Sequence, residues 1–477
     1  MKRTKIICTL GPSCNNEKTI KALLLNGMNV ARFNMSHGDH EEHLGRINMV
    51  KKVRDELDMP VALLLDTKGP EIRLKDFKDG SVILESGDEF TLTSDDVLGD
   101  NKIASVTYEN LPYEVETGCK ILIDDGKVEL LVLETNGSNI KCQVVNGGKI
   151  GNHKGVNVPS VHLNMPYLSD VDKADLLFGI KQDVDYIAAS FIRNKEDVLN
   201  IRDFLDYNGG NKIRIIAKIE NQEGIDNFEE ILENVSGIMV ARGDMGVEVD
   251  FEKLPGIQKR FINKCCLAGK IVITATQMLE SMINNPSPTR AEISDVANAV
   301  FDGTSAIMLS GETANGKYPV ETVKVMSRIA ARAEKDAFAL DSYDRFTPST
   351  LAGDATLAIS HATCTTARDL KAKAIITVSQ SGITARRISR FRPQELIVAA
   401  TPSKKTYHQL ALSWGINPVL SLMQSSTDDL LKHAIICAKS KKFVKEGDTV
   451  VITAGVPIGV PGNTNLLRVA TVDSDSL

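Results

Sequence analysis

Short apolar runs that end in charged or hydroxyl residues recur along most of this chain. Residues 4–10, 28–34 and 61–65 form the first three, and Tyr186–Ala189, 213–219, 238–241, 271–274 and Ala306–Leu309 form five more. Each is too short for a helix and nearly continuous in its hydrophobicity, as strands buried on both faces are. Helical periodicity fills the intervals, as in Glu17–Leu25 and 41–52, where Ser36 is placed to cap the second helix. About eight strand–helix units in succession predict a closed parallel (β/α)8 TIM barrel.

Two stretches break this rhythm. Residues 81–145 are rich in Gly and Asp and alternate apolar with polar positions, as at Glu89-Phe90-Thr91-Leu92, which predicts a small β-barrel inserted after the third barrel strand. Hinges are expected near Pro70 and within 159–166, and an insert leaving that rim is placed to act as a lid. Past Phe346-Thr347-Pro348 the chain restarts with a helical run at 356–370, then strands Ala374–Val378, 397–400 and Thr449–Ala454, a three-layer α/β domain. The expected division is barrel at 1–70 and 166–345, lid at 71–165 and C-terminal domain at 346–477.

Composition changes this picture little. The chain has 477 residues, a formal charge of -6 and eight cysteines. The acidic balance argues against a nucleic-acid partner that reads a basic surface. No apolar run approaches the roughly 20 residues that span a bilayer, and no signal-peptide core opens the chain, so cytoplasmic residence is expected. The cysteines show no C-x-x-C or zinc spacing and read as reduced core thiols. Three near-motifs fail: GETANGKY at 311–318 puts Tyr318 where a P-loop needs Ser or Thr, His40-Glu41-Glu42-His43 lacks zincin spacing, and Asn34-Met35-Ser36 has no secretory context.

In parallel barrels the C-terminal strand ends carry the chemistry. Here those ends supply Arg32, Asn34, Asp66, Lys218, Glu220, Asp244, Thr276, Ser310 and Glu312. Two carboxylates, Glu220 and Asp244, suit Mg2+ or Mn2+ with substrate oxygens and waters completing the shell. Lys218 is a point charge for an enolate or a transferring phosphoryl group, and Arg32 and Arg73 suit phosphate. A structural ion pair at a barrel rim is the plain alternative, and a metal-dependent aldolase or lyase shares the same logic. In the C-terminal domain, Ser379, Ser381, Gly382 and Thr384 lie between a strand and a helix, suited equally to a phosphate or to an ordinary helix cap.

These blocks resemble the pyruvate kinase family from end to end. IIAKIENQEGI resembles its segment around the catalytic lysine, and ARFNMSHG, LLDTKGPEIR, MVARGDMGVE, TATQMLESM and LSGETANGKYP match its other blocks in order. The resemblance implies phosphoryl transfer from phosphoenolpyruvate to ADP, giving ATP and pyruvate. It implies Lys218 as stabiliser of the transferring group, Arg32 on the phosphoryl, and Glu220 and Asp244 on the divalent metal. Residues Ala241, Arg242, Gly243, Asp244 and Thr276 would seat the substrate, and Asn34, His37, Arg73 and Lys154 the nucleotide. Asn34, Ser36, Asp66 and Thr67 match a K+ site, and Glu71 is the residue that potassium-dependent members carry. Thr276, Ser310 and Glu312 lie near the implied route of enolate protonation. The effector loop departs from the sugar-bisphosphate pattern at Gln380, Ile383 and Val456-Pro457, so a different phosphorylated effector is expected. A homotetramer is implied, with helices near 291–300 and 355–370 as candidate interfaces. An extra C-terminal phosphohistidine-like domain is not expected. A non-catalytic metabolite sensor is the remaining alternative.

Overall fold

The computed structural model describes residues 2–159, 161–346, 354–458 and 463–473. Eight parallel strands close into a barrel in chain order: Lys5–Thr9, Val30–Asn34, Ala62–Asp66, Tyr186–Ala189, Arg214–Ile219, Gly237–Ala241, Ile271–Ala275 and Ala306–Leu309. The first pairs with the last, Lys5 opposite Ala306 and Cys8 opposite Leu309. Alternate residues point to opposite faces of a strand. Thus Ile7, Leu64, Tyr186, Ile216, Met239 and Met308 fill the barrel interior, while Ile6, Cys8, Leu63, Leu65 and Ile187 pack outward in the helical shell. Both faces are dry, which is why the sequence runs are apolar throughout.

The helix after the second strand spans His40–Glu56 and is capped by Asp39, whose side chain accepts from the Glu42 N–H. Ser36 is therefore not the cap. Gly38, at φ 75°, turns the chain between them, so the first residue with extended backbone and a carboxylate at the helix start is Asp39.

The insert is built of strands with one short helix, Leu111–Glu114, between them. Seven of them form a sheet running from Ile72–Arg73 at one edge to Ile103–Ser105 at the other. A bridge between Leu74 and Val106 joins those two edges, flanked by Lys75 N–H to Ser105 O at 2.8 Å and Thr107 N–H to Arg73 O at 2.9 Å. The sheet so closes into a small barrel around Leu92, Ile121, Ile123, Leu130 and Ile140. Arg193 ties the returning segment to the large barrel, donating to Leu163 O at 2.9 Å and Met165 O at 3.0 Å. Asn157 of the insert donates to Glu248 of the barrel at 2.9 Å.

The C-terminal sheet has five strands in the order Ile416–Leu420, Leu396–Thr401, Ala374–Val378, Thr449–Ala454, Leu466–Thr471, the last antiparallel. Helices Ala355–Asp369 and Ile383–Arg390 cover one face and Thr427–Ser440 the other, giving three layers. The expected linker at Thr347-Pro348 lies outside the described residues. This domain also plugs the barrel. Ala411 and Leu412 belong to the barrel's interior cluster, and Tyr186 Oη donates to Gln409 O at 2.7 Å.

Candidate active site

The fifth barrel strand ends in Lys218-Ile219-Glu220, which turns two charged side chains toward the C-terminal rim. Lys218 Nζ lies 2.9 Å from Glu220 Oε1, 3.2 Å from Asp66 Oδ1 and 2.7 Å from Ser190 Oγ. Asp66, at the tip of the third strand, turns its other oxygen to Arg32 Nε at 2.6 Å, and Arg32 also donates to Thr9 Oγ1 at 2.8 Å. All four charged groups are buried. Burial opposes charge on Asp66, but Arg32 and Lys218 outweigh it and hold the carboxyl below its usual range. Burial likewise opposes the Lys218 ammonium, yet Asp66 and Glu220 outweigh it and raise its pKa.

Glu220 is the exception. Burial pushes its pKa up to about 8, Lys218 pulls it back in part, and Asp244 raises it again. One of its oxygens accepts from the Phe191 N–H at 2.6 Å, while the other is shielded from solvent and has the Lys218 ammonium beside it at 2.9 Å. A carboxylate that burial and a neighbouring carboxylate discourage from ionising is one that a further cation would stabilise. Among the described residues no group of three or more His, Cys, Asp or Glu is placed to hold a metal. A divalent ion here would have Glu220 and Asp244 and would draw its remaining ligands from substrate and water, which suits Mg2+.

The sixth strand delivers the turn Ala241-Arg242-Gly243-Asp244 into a short helix, Arg242–Glu248. The Arg242 side chain is committed elsewhere: it donates to Asp295 at 2.8 Å and to Thr276 O at 2.6 Å. It shapes the turn, so any substrate contact there falls to backbone groups and to Asp244. Thr276 sits at φ 68° after the seventh strand, and its Oγ1 accepts from the Gly243 N–H at 2.8 Å. Left-handed backbone at a threonine costs energy and places the side chain against the Gly243 turn. Glu312 accepts from the Ser310 N–H at 2.7 Å and the Leu279 N–H at 3.1 Å, and burial raises its pKa.

Across the rim, a cleft of about 840 Å³ runs between barrel and lid, lined by His37, Arg73, Lys154, Phe191, Asp244 and Glu248 among others. Arg73 pairs with Glu71 at 2.6 Å and donates to His153 O, and Lys154 pairs with Asp124 at 2.9 Å. Asn34 Oδ1 accepts from the Ser36 N–H at 3.2 Å, holding the turn beside Asp66 and Thr67. Ser379, Ser381, Gly382 and Thr384 lie in the C-terminal domain. There Ser379 Oγ accepts from the Gly382 N–H at 3.0 Å and Thr384 bonds Thr464 at 2.7 Å, so two of the loop's hydroxyls have partners within the domain.

Sequence reasoning missed Ser190 and Phe191. Ser190 Oγ lies 2.7 Å from Lys218 Nζ, 2.7 Å from Thr67 O and 3.3 Å from Asp66 Oδ1. Phe191 adopts φ 55° and so turns its N–H onto Glu220. The signal was present, because Ser190 follows the fourth apolar run directly, one of the two runs, with that at 4–10, credited with no polar tip. Gly69 serves the same junction: it sits at φ 74°, and a Cβ there would meet Ser190 O at 2.8 Å. Replacing Ser190 with alanine frees the Lys218 ammonium from one fixed acceptor; turnover falls about tenfold with substrate KM little changed, as steady-state kinetics will read.

A parallel barrel with a buried, anchored ammonium at its C-terminal rim and a cleft of small-metabolite size beside the inserted β domain fits an enzyme of charge-stabilised group transfer. The family models for "Pyruvate kinase, barrel domain" and "Pyruvate kinase, alpha/beta domain" match residues 1–323 and 357–470. A pyruvate kinase of Clostridium acetobutylicum is 50% identical over 99% of this chain and 100% of its own length. One of Staphylococcus haemolyticus is 50% identical over 100% of this chain and 81% of its own. The crystal structure of a pyruvate kinase from Cryptosporidium parvum superposes with a TM-score of 0.91 at 39% identity, covering 98% of this chain and 96% of that one. The chain belongs to the pyruvate kinase family of phosphotransferases.

Proposed function

We propose that this enzyme transfers the phosphoryl group of phosphoenolpyruvate to ADP. The bond from phosphorus to the enol oxygen breaks, a bond to the terminal ADP oxygen forms, and the enolate left behind takes a proton to give pyruvate. Such a transfer needs positioning and neutralisation of charge rather than a protein nucleophile. The observation that carries this reading is the Lys218 ammonium, held by Asp66, Glu220 and Ser190 at the rim of the cleft. From there it faces both the bridging oxygen and the phosphoryl oxygens. Arg32, oriented by Asp66 and Thr9, grips the phosphoryl group. Glu220 and Asp244 hold Mg2+ or Mn2+, which neutralises substrate oxygens when bound. Backbone of the Ala241 to Asp244 turn and Thr276 receive the substrate carboxylate. Asn34, His37, Arg73 and Lys154 face the nucleotide, with Arg73 and Lys154 exchanging Glu71 and Asp124 for phosphates. Ser310 and Glu312 lie on the proton's side.

Asn34, Ser36, Asp66 and the Thr67 carbonyl hold K+ beside the phosphoryl group, and Glu71 marks the dependence. A coupled assay varying phosphoenolpyruvate, ADP, Mg2+ and K+ tests the whole. Pyruvate release is expected to require ADP and a divalent ion, and K+ in sodium-free buffer to raise turnover at least tenfold. Pyruvate formed without ADP would indicate a lyase instead, and equal rates with and without K+ would remove the K+ site. The enzyme works in the cytoplasm as a homotetramer, and a phosphorylated metabolite activates it. Among the described residues no helix is long and apolar enough to cross a membrane.

A further inference from the structure

The turn at residues 34–39 carries three of the groups proposed for K+ and nucleotide, Asn34, Ser36 and His37, yet its tip is bare: His37, Gly38 and Asp39 are all exposed. Backbone with few packed neighbours opens locally at little cost unless something ties it down. Two histidines at the start of the following helix, His40–Glu56, supply the ties. His43 Nε2 donates to His37 O at 2.8 Å, within the same segment, and His40 Nε2 lies 2.6 Å from Asp175 Oδ1, on a distant one. The His40 ring also stacks on Phe178, with centroids 4.5 Å apart and planes 14° from parallel.

Asp175 stands on the helix Asp170–Lys181, which leads into the fourth barrel strand. Its carboxyl is buried, and His40 is its one hydrogen-bond partner among the described residues. Burial raises its pKa, and the His40 contact opposes that rise. Three residues earlier on the same helix, Asp172 accepts from the Gly69 N–H at 2.9 Å and shares a capping box with Ser169. Residues three apart lie on one helix face. One face of this helix therefore grips two separate turns. Asp172 holds the turn after the third strand, beside Asp66, Thr67 and Glu71, and Asp175 holds the turn after the second, beside Asn34, Ser36 and His37. The turns also meet directly, the Met35 N–H donating to Asp66 O at 2.9 Å.

We propose that the His40–Asp175 contact holds the turn at 34–39 in the conformation that receives K+ and the nucleotide, and so sets the affinity for both. His40 and Asp175 are positioning residues, since neither is among the residues that line the catalytic cleft. The identity of the two ligands rests on the phosphoryl-transfer reading; the ordering of the turn does not. A ligand whose binding turn is ordered in only a fraction of the molecules has its dissociation constant raised by the inverse of that fraction. Losing the contact thus weakens K+ and nucleotide together. The saturated enzyme, whose ligands order the turn themselves, keeps nearly its parental rate.

Substitutions at position 40 separate the hydrogen bond from the stacking. Glutamine carries an amide nitrogen to the place of Nε2, whereas the amide of asparagine reaches only as far as Nδ1. Phenylalanine keeps a ring over Phe178 and has no polar atom for Asp175. If the hydrogen bond does the positioning, His40→Gln stays within about twofold of the parent, while His40→Asn and His40→Phe share one defect.

The test combines hydrogen exchange, calorimetry with MgADP and steady-state kinetics on the full-length protein. Without ligands, His40→Phe and Asp175→Asn should each speed exchange of the amides at 35–40 about tenfold and leave those of Tyr186–Ala189 unchanged. The same variants should raise the MgADP dissociation constant, the ADP KM and the K+ half-saturation about three- to tenfold, with saturated kcat within about twofold of the parent. The double variant should be no worse than the weaker single one, because both remove the same contact. His40 is half-exposed, so its variants carry the test should Asp175→Asn, at a buried site, fail to fold. His40→Phe equal to the parent, or His40→Gln as impaired as His40→Phe, overturns the proposal and leaves position 40 a packing strut. Faster exchange with unchanged affinities overturns it too, because the order of the turn then costs the ligands nothing. A parent that binds no MgADP and shows no turnover fails the phosphoryl-transfer reading and the affinity claim with it; a parent that binds while its variants match it fails this inference alone.

Discussion

Replacing Lys218 with methionine lowers turnover by about a thousandfold or more while phosphoenolpyruvate KM changes little. The ammonium is held 2.9 Å from Glu220, 3.2 Å from Asp66 and 2.7 Å from Ser190, so it cannot follow the substrate; it waits where charge develops. A group fixed in that way contributes chiefly when negative charge builds on the bridging oxygen, and about 4 kcal/mol is the scale for one such preorganised interaction. Methionine keeps the length and apolar stem and fills the same volume, so the barrel stays packed. Steady-state kinetics at saturating ADP, Mg2+ and K+ separates the outcomes. A variant with parental kcat removes Lys218 from the chemistry, and one that loses only KM makes it a ground-state binding group.

Much of this barrel was legible because its strands are dry on both sides. Runs such as Tyr186–Ala189 and Ala306–Leu309 carry no polar residue, and the structure gives those same bounds. The candidate site residues stood out for a related reason: a Lys, Glu or Asp at the end of an apolar strand belongs either to a rim ion pair or to the chemistry. What failed to show has physical causes too. Ile416–Leu420 contains Asn417 and Pro418 at an edge of its sheet, where a missing N–H is tolerated, so neither propensity nor period marks it. Leu466–Thr471 is the opposite edge, mostly outside the core and bearing Arg468. Ser190 looked like any residue of a turn, and only the fold brings it to Lys218. The cleft between the barrel and the C-terminal domain was invisible for the same reason, its lining being drawn from residues 202–270 and 380–409.

Converting Asp66 to asparagine costs the fold about 3–5 kcal/mol and turnover about a hundredfold. Asp66 is wholly buried, and its two oxygens face Arg32 at 2.6 Å and Lys218 at 3.2 Å. Asparagine preserves shape and one carbonyl oxygen but removes the charge. Arg32 then loses the carboxylate it pairs with, and Lys218 is left with Glu220, which burial already discourages from ionising. An uncompensated buried charge is far more costly than a lost neutral hydrogen bond. Urea denaturation should show a lower midpoint with an unchanged slope, since the surface exposed on unfolding is the same. The same variant distinguishes two duties of this side chain. An amide oxygen can still coordinate K+, so if Asp66 serves as a cation ligand alone, Asp66→Asn stays close to the parent in stability and raised K+ restores its turnover. If its main duty is to neutralise Arg32 and Lys218 and to aim them at the phosphoryl group, no concentration of K+ restores either property.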